Sequence, residues 1–249
     1  MANPRFYTPE TTLTLERALQ SGESVLLTPE AAHHAGRALR LRNGEAVTLF
    51  NDSDSEWEGT ITLSREGAAV QLTSRATPLR ESPLSITLLQ ALVSPEKMDW
   101  ILEKAVELGV RELVLFPAER SVTKLTADKI EKRLAKYRTQ IISASEQCGR
   151  NRLMTCRFLS FKDALMLSAD CRLVLAPSAD PSPLALSTTP TPPSFAIMVG
   201  PEGGLSDAEL SSASEAGWQA KLLGPRVMRT ETAGLAATVW LNTRFGDFI

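Results

Sequence analysis

A glycine-rich turn stands between an apolar run and a helix start in the C-terminal part of the chain, and few folds accommodate that succession. Residues 195–199, FAIMV, are apolar and β-prone, and they run directly into the turn GPEGG at 200–204. Ser206 and Glu209 follow with the spacing of a capping box, which predicts that a helix begins there. We therefore predict a strand, a tight glycine turn and a helix in immediate succession.

The same succession returns in outline further along the chain. Leu222-Leu223 lead into Gly224-Pro225, a polar loop follows, and Thr230-Glu231 open a last predicted helix. Glycine turns and helix N-termini expose backbone N–H groups to a bound ligand. Two such corners in close succession predict a ligand site built largely from backbone. Two structural turns with capping acids are the alternative interpretation.

The side chains within these corners favour a ligand other than a phosphate. Neither GxxxxGK[ST] nor GxGxxG is present, and Glu202 lies inside the first turn, where its carboxylate would repel a phosphate. Arg226, Arg229 and Glu231 bring further charge to the second corner. Acids beside exposed backbone groups suit positive charge or ribose hydroxyls. We therefore predict a nucleoside cofactor with a cationic centre.

Composition indicates an ordinary globular protein of the cytoplasm. The 249 residues, 43% of them hydrophobic, suffice for one large domain or two modest ones, and no apolar run approaches the roughly 20 residues of a membrane span. The N-terminus lacks the apolar core of a signal peptide. The three cysteines, without close pairing, indicate a reducing compartment. Neither His33-His34 nor the cysteine spacing has the pattern of a metal site, so no metal is expected.

Positive charge is unevenly distributed, although the net charge is only −2. Residues 120–157 contain ten Lys or Arg and three acidic residues, and all eight basic residues of positions 1–80 are arginine. The planar guanidinium of arginine suits phosphates and stacked bases. The distribution predicts a basic face that contacts nucleic acid, with a solvated helix face as the alternative.

The order of predicted elements indicates an α/β protein with two domains. Short strands at 46–50, 57–63 and 68–73, separated by turn residues, predict a small β-barrel in residues 1–77. Residues 78–249 instead alternate strands with helices, which predicts a parallel sheet. The predicted elements there are strands at 84–92, 112–116, 157–159, 171–176 and 195–199, helices at 95–108, 126–147 and from Phe161, and an extended proline-rich loop at 177–194.

Several blocks of sequence, taken together, carry a resemblance to a known family. GPEGGLSDAE at 200–209 is followed by LLGPRVMRTETA at 222–233, and upstream stand HAGRALR at 34–40, EKMDW at 96–100 and EQCGRNR at 146–152. In these blocks, which extend over nearly the whole chain, the sequence resembles the SPOUT-class (trefoil-knot) methyltransferases, and among them those that modify small-subunit ribosomal RNA.

The resemblance implies an N-terminal PUA-like β-barrel that binds RNA and a C-terminal α/β domain with a trefoil knot around a parallel sheet. It also implies a homodimer that uses S-adenosyl-L-methionine. The implied reaction is methylation of N3 of uridine 1498 in 16S rRNA of the small ribosomal subunit. A related enzyme that methylates another rRNA base or a ribose 2′-OH is the alternative. The loop 51–54 departs from the family, whose loop often carries glycine, and this departure leaves its shape open.

The implied reaction assigns expected roles to individual residues. We expect Arg229 to stabilise the charge that develops on the uracil ring, and Glu231 or Glu202 to act as the base or to orient ribose and loop. The expected cofactor-binding residues are Leu175, Ala176, Pro177, Val199, Gly200, Pro201, Glu202, Gly203, Gly204, Leu205, Leu222, Leu223, Gly224, Val227, Met228, Arg229, Thr230 and Thr232. The expected RNA-binding residues are Arg5, Arg37, Arg40, Arg120, Lys124, Arg150 and Arg152.

Overall fold

The chain divides into two compact units. The computed structural model describes residues 3–123, 126–177 and 194–248. The first unit comprises Met1–Glu81 and Ser145–Leu153, and the second comprises Ser82–Ala144 and Met154–Ile249. The functional division into an RNA-binding domain (1–77) and a methyltransferase domain (78–249) stays a prediction.

A curled five-stranded sheet forms the first unit, in the strand order β1-β3-β4-β5-β2. Its elements are β1 (Arg5–Tyr7), α1 (Thr12–Ser21), β2 (Ser24–Leu26), α2 (Pro29–His33), β3 (Ala46–Phe50), β4 (Glu56–Leu63) and β5 (Ala68–Ala76). β1 runs parallel to β3, and the other neighbouring strands are antiparallel. Phe6, Leu49, Trp57 and Ile61 are fully buried in its core. The three strands predicted for this part of the chain are confirmed.

Sequence reasoning did not find β1 or α1. Helix α1 begins after Thr11, whose side chain accepts a hydrogen bond from the Thr14 backbone N–H at 3.1 Å, and it ends at Gly22 with a φ of 76°. The β-branched threonines at this end weaken the helical pattern, whereas burial of Leu15 and Ala18 in the core stabilises the helix. The helix thus depends on tertiary packing more than on local propensity.

The loop 51–54 uses aspartate in a conformation that is more common for glycine. Asp52 has a φ of 62°, a left-handed conformation that Asp tolerates better than most residues. Its carboxylate accepts a hydrogen bond from the Leu153 backbone N–H at 2.8 Å, and Asp54 forms an ion pair with Arg152 at 2.6 Å. The hydrogen bond from Arg152 lowers the pKa of Asp54 below its usual value. Asp52 therefore supplies both the backbone turn and an acceptor.

Six parallel strands form the sheet of the second unit, in the order β11-β9-β10-β6-β7-β8. Its elements are β6 (Ser85–Ala91), α3 (Pro95–Glu107), β7 (Glu112–Phe116), α4 (Ala127–Cys148), β8 (Thr155–Phe158), α5 (Phe161–Leu165), β9 (Cys171–Leu175), β10 (Ser194–Val199), α6 (Asp207–Glu215), β11 (Gln219–Lys221) and α7 (Thr230–Phe245). The predicted parallel sheet and its helices are confirmed. Residues 178–193, most of the predicted proline-rich loop, lie outside the described residues.

Chain order and strand order diverge at the centre of this sheet. From β6 the chain moves outward through β7 and β8, then crosses to β9 and returns to β10 beside β6. The carboxyl ends of β9 and β10 therefore lie next to the point where the strand order reverses, and parallel α/β sheets bind ligands at such points.

Helix α7 packs on α3 and β10. A Cβ on Gly234 of α7 would lie 2.7 Å from Leu88 Cδ1, so glycine permits this close approach.

Candidate functional site

A cavity of about 350 Å³ opens at the carboxyl ends of β9, β10 and β11. Most of its wall comes from residues 175–177, 199–204 and 221–231, so both glycine corners meet in one cavity. Every expected cofactor-binding residue lines it except Gly203, Leu205, Gly224 and Thr232. The cavity is also lined by the expected catalytic residue Glu231 and by four residues for which no role was expected, namely Lys97, Lys221, Arg226 and Ala233.

The first corner is shaped by crowding at Gly200. A Cβ at this position would lie 2.8 Å from the Leu205 backbone nitrogen, closer than real Cβ atoms pack. Gly204 has a φ of 70°, and its N–H donates to the Pro201 carbonyl at 2.9 Å to close a tight turn. The turn therefore requires glycine for different reasons at two positions.

A chain of buried hydrogen bonds joins the two corners. Thr230 Oγ1 donates to the Gly200 carbonyl at 2.6 Å and lies 2.9 Å from Gln90 Nε2, which donates to it. Gln90 is fully buried in β6, and its Nε2 also donates to the Ala91 carbonyl at 3.2 Å. Buried hydrogen bonds of this kind hold a cavity wall in one geometry, although Gln90 Oε1 itself has no hydrogen-bond partner among the described residues. No sequence pattern had indicated Gln90, because its neighbours in β6 are simply apolar.

The capping box predicted for α6 is confirmed, and it also binds a second segment. Ser206 Oγ accepts from the Glu209 N–H at 3.3 Å, while Glu209 Oε2 accepts from the Ser206 N–H at 2.8 Å. The other carboxylate oxygen of Glu209 accepts from the Glu119 N–H at 2.8 Å. One buried carboxylate thus satisfies two backbone donors and fixes the start of α6.

Arg120, an expected RNA-binding residue, supports the first corner. Its Nη1 donates to the Gly203 carbonyl at 3.0 Å and to the Leu205 carbonyl at 3.4 Å. A Cβ on Gly203 would approach the Arg120 Cβ to 3.3 Å, so the two residues pack closely. The guanidinium therefore holds the carbonyls of the turn, and its contact with RNA stays a prediction.

Two carboxylates and two positively charged side chains meet at the cavity wall. Lys97 Nζ lies 2.9 Å from Glu202 Oε1 and 3.5 Å from Glu231 Oε2. Arg229 Nη1 lies 4.0 Å from the other oxygen of Glu231, and its side chain is 83% exposed, against 16% for Glu231. The structure thus brings the three expected catalytic residues together. It adds Lys97, which belongs to the EKMDW block of the resemblance but was given no role, because its place in a helix does not show which groups it meets.

Lys97 and Glu202 each alter the protonation of the other. The hydrogen bond to Glu202 raises the pKa of Lys97, and Glu231 contributes to the same rise. Burial raises the pKa of Glu202, but the hydrogen bond from Lys97 and hydrogen bonds from backbone N–H groups outweigh it, so this pKa lies below its usual value. Both groups are therefore charged at neutral pH, and Glu202 is a weak proton acceptor.

Two of the expected RNA-binding arginines are buried in ion pairs. Arg5 lies 2.8 Å from Glu56 and Arg150 lies 2.8 Å from Glu81, with arginine side chains only 8% and 7% exposed. Each guanidinium thus neutralises a carboxylate inside the first unit. Direct RNA contact by these two residues stays a prediction.

The other expected RNA-binding residues differ in exposure and pairing. Helix α2 continues through a π-type turn at His34–Ala38, which contains the exposed Arg37. Arg40 follows this turn, is exposed and has a φ of 54°. Arg152 is held by Asp54, as described above. Lys124 lies outside the described residues.

The described parts of the chain contain neither a helix suited to a membrane span nor a metal-binding cluster. In residues 3–123, 126–177 and 194–248, no helix combines the length and hydropathy that a bilayer crossing requires. Within those same ranges, no group of three or more His, Cys, Asp or Glu side chains could hold a metal ion.

Burial raises the pKa of the Cys156 thiol to about 12, so this thiol is unreactive at neutral pH.

Comparison with known proteins assigns the family. A model of the RNA methyltransferase domain matches residues 80–242, which is more than half of the chain and contains every residue of the cavity wall. The chain belongs to the RNA methyltransferase family. A model of the RNA methyltransferase PUA domain matches residues 27–73, within the first unit.

Relatives of this RNA methyltransferase are similar over almost their whole length. The ribosomal RNA small subunit methyltransferase E of Bacillus subtilis is 28% identical over 234 residues, 89% of this chain and 91% of that one. The ribosomal RNA small subunit methyltransferase E from Neisseria gonorrhoeae, solved bound to S-adenosyl methionine, is 34% identical, with a TM-score of 0.87 and 100% of both chains covered. A Legionella pneumophila protein solved with the bound cofactor SAM is 33% identical, with a TM-score of 0.89 and the same coverage. The predicted resemblance and the α/β fold with a PUA-like N-terminal part are confirmed.

Proposed function

We propose that this RNA methyltransferase transfers a methyl group from S-adenosyl-L-methionine to N3 of uridine 1498 in 16S rRNA of the small ribosomal subunit. The observation that carries the proposal is that both glycine corners form one cavity with two carboxylates on its wall. The names of the relatives from Bacillus subtilis and Neisseria gonorrhoeae support the choice of small-subunit ribosomal RNA as the substrate.

The residues of the cavity suit a cationic nucleoside cofactor. S-Adenosyl-L-methionine supplies a methyl group bonded to a positively charged sulfur, which becomes a neutral thioether after transfer. Glu202 and Glu231 provide negative charge, and Glu231 Oε2 is a buried acceptor to which no described residue donates a hydrogen bond. Leu175, Leu222 and Leu223 provide apolar cover for an aromatic base.

Methylation at N3 requires the loss of a proton from a neutral uracil ring. The N3–H bond must break as the N3–carbon bond forms, so a nearby acceptor accelerates the reaction. We assign this role to Glu231 before Glu202, because the pKa of Glu202 lies below its usual value whereas Glu231 Oε2 has no hydrogen bond. Arg229, which lines the cavity, stabilises the negative charge that develops on the uracil oxygens.

The proposal includes how the protein meets its RNA and assembles. Arg37 and Arg40 are exposed and contact phosphates, while Arg5 and Arg150 also hold the first unit together through buried ion pairs. A homodimer, a trefoil knot in the second unit and action in the cytoplasm follow from the family resemblance and form part of the same proposal.

Mapping of modified nucleotides tests the target atom. Small subunits from cells with and without the protein are digested, and the fragment that contains uridine 1498 is analysed by mass spectrometry. We expect N3-methyluridine only when the protein is present. Loss of a methyl group from another base, or from a ribose 2′-OH, would contradict the N3 assignment and support the alternative activity.

Single-turnover methylation tests the role of Arg229. We predict that Arg229→Ala, assayed at saturating S-adenosyl-L-methionine, reacts about 10²-fold more slowly, because one charge-stabilising group is lost from the transition state. Reconstituted small subunits are the substrate, and calorimetric titration checks cofactor binding. A full methylation rate in this variant would overturn the role.

A further inference from the structure

Lys97 occupies a position that the stability of its own helix does not explain. It lies in the first turn of α3, where the helix macrodipole disfavours a cation, whereas Lys104 of the same helix lies in the favourable last turn. Residues that break a local rule are often found at functional sites. The ammonium of Lys97 faces carboxylates from both corners of the cavity.

Lys97 is paired with both carboxylates of the cavity wall. Lys97 Nζ donates to Glu202 at 2.9 Å, while its 3.5 Å separation from Glu231 Oε2 leaves that oxygen without a hydrogen bond. The other cation paired with these carboxylates, Arg229, lies 4.0 Å from Glu231 and its side chain is 83% exposed, so water screens its charge strongly. Removal of Lys97 makes the wall more negative by one unit of charge. The pKa of Lys97 lies above its usual value, so the ammonium is charged throughout the neutral pH range.

We infer that Lys97 is a specificity-determining residue, which cancels one negative charge of the cavity wall and thereby limits the preference for a cationic cofactor over its neutral product. The inference rests on the proposed function. S-Adenosyl-L-methionine has one positive charge more than S-adenosylhomocysteine, the thioether that remains after methyl transfer. Since the two molecules otherwise differ by one methyl group, the charge of the wall is what separates their affinities.

Calorimetric titration of both ligands tests the inference through binding alone. The measured quantity is the dissociation constant of S-adenosylhomocysteine divided by that of S-adenosyl-L-methionine. In Lys97→Met we expect this ratio to rise by about threefold to tenfold, since charges at a solvent-facing cavity interact through a high effective dielectric constant. In Glu231→Gln we expect the ratio to fall by a similar factor.

Two further variants separate charge from shape and from distance. The double variant Lys97→Met with Glu202→Gln removes one positive and one negative charge and so restores the wild-type net charge, and the ratio returns to within about twofold of wild type. Lys104→Met removes a lysine from the same helix but away from the cavity wall, so its ratio stays at the wild-type value. Thermal unfolding of every variant confirms that the fold is retained.

The outcomes distinguish failure of this inference from failure of the proposed function. If the wild-type protein binds neither ligand, the proposed cofactor is wrong and the inference falls with it. If both ligands bind but Lys97→Met leaves the ratio unchanged, the inference alone is overturned. It is likewise overturned if the double variant keeps the ratio of Lys97→Met, or if Lys104→Met raises the ratio equally.

Discussion

At the scale of single residues, the first glycine corner contains two glycines with different requirements. A Cβ on Gly200 would lie 2.8 Å from the Leu205 nitrogen and 3.0 Å from the Gly204 carbonyl carbon, and backbone atoms cannot yield without displacing the turn. We predict that Gly200→Ala lowers the free energy of unfolding by about 1–3 kcal/mol and weakens S-adenosyl-L-methionine binding at least about tenfold, because overpacking displaces the cavity wall. Denaturant unfolding and calorimetric titration measure the two effects.

Gly204→Ala is the matched control in the same turn. A Cβ there would meet nothing within 4 Å, but the φ of 70° costs a non-glycine residue about 1–2 kcal/mol. Stability therefore falls while the turn keeps its shape, and affinity changes by less than about threefold. Equal losses of affinity in the two variants would mean that crowding at Gly200 does not shape the cavity.

At the scale of elements, α6 is tied to a distant segment through one buried carboxylate. Glu209→Ala removes the acceptor of two backbone N–H groups, those of Ser206 and Glu119, and we predict a loss of about 2–4 kcal/mol in the free energy of unfolding. Ser206→Ala removes only the cap and costs about 1 kcal/mol. Denaturant unfolding compares the variants. If Glu209→Ala cost no more than Ser206→Ala, the bond to Glu119 would contribute nothing.

At the scale of the whole molecule, exposed arginines rather than net charge are expected to govern RNA affinity. We predict that the double variant Arg37→Ala with Arg40→Ala weakens binding to small-subunit RNA and reduces the slope of log affinity against log salt concentration by about 1.5, because two phosphate contacts are lost. Filter binding at several salt concentrations measures the slope. The control, Arg17→Ala with Arg65→Ala, removes two other exposed arginines of the first unit. An equal change in both double variants would contradict specific contacts.

Local sequence was sufficient to predict the bounds of an element where the residues of that segment alone determine its structure. β3 and β7 have the predicted bounds, since short apolar runs there end at turn residues, and α6 begins at the predicted capping box. The same reasoning missed α1, because its stability comes from burying Leu15 and Ala18. It also gave no sign that Arg5 and Arg150 are buried in ion pairs, since residue type alone does not reveal a buried partner.

The amino-acid sequence by itself determined the alternation of strands and helices, the two glycine corners and the family, because these depend on short-range patterns and on blocks of matching residues. Only the tertiary structure decided the strand order that joins the corners into one cavity, the buried bond between Gln90 and Thr230, and the cluster around Lys97. Gln90 and Thr230 are 140 positions apart in the chain, and Lys97 and Glu202 are 105 apart. Contacts over such separations depend on how the whole sheet packs, which no local pattern specifies.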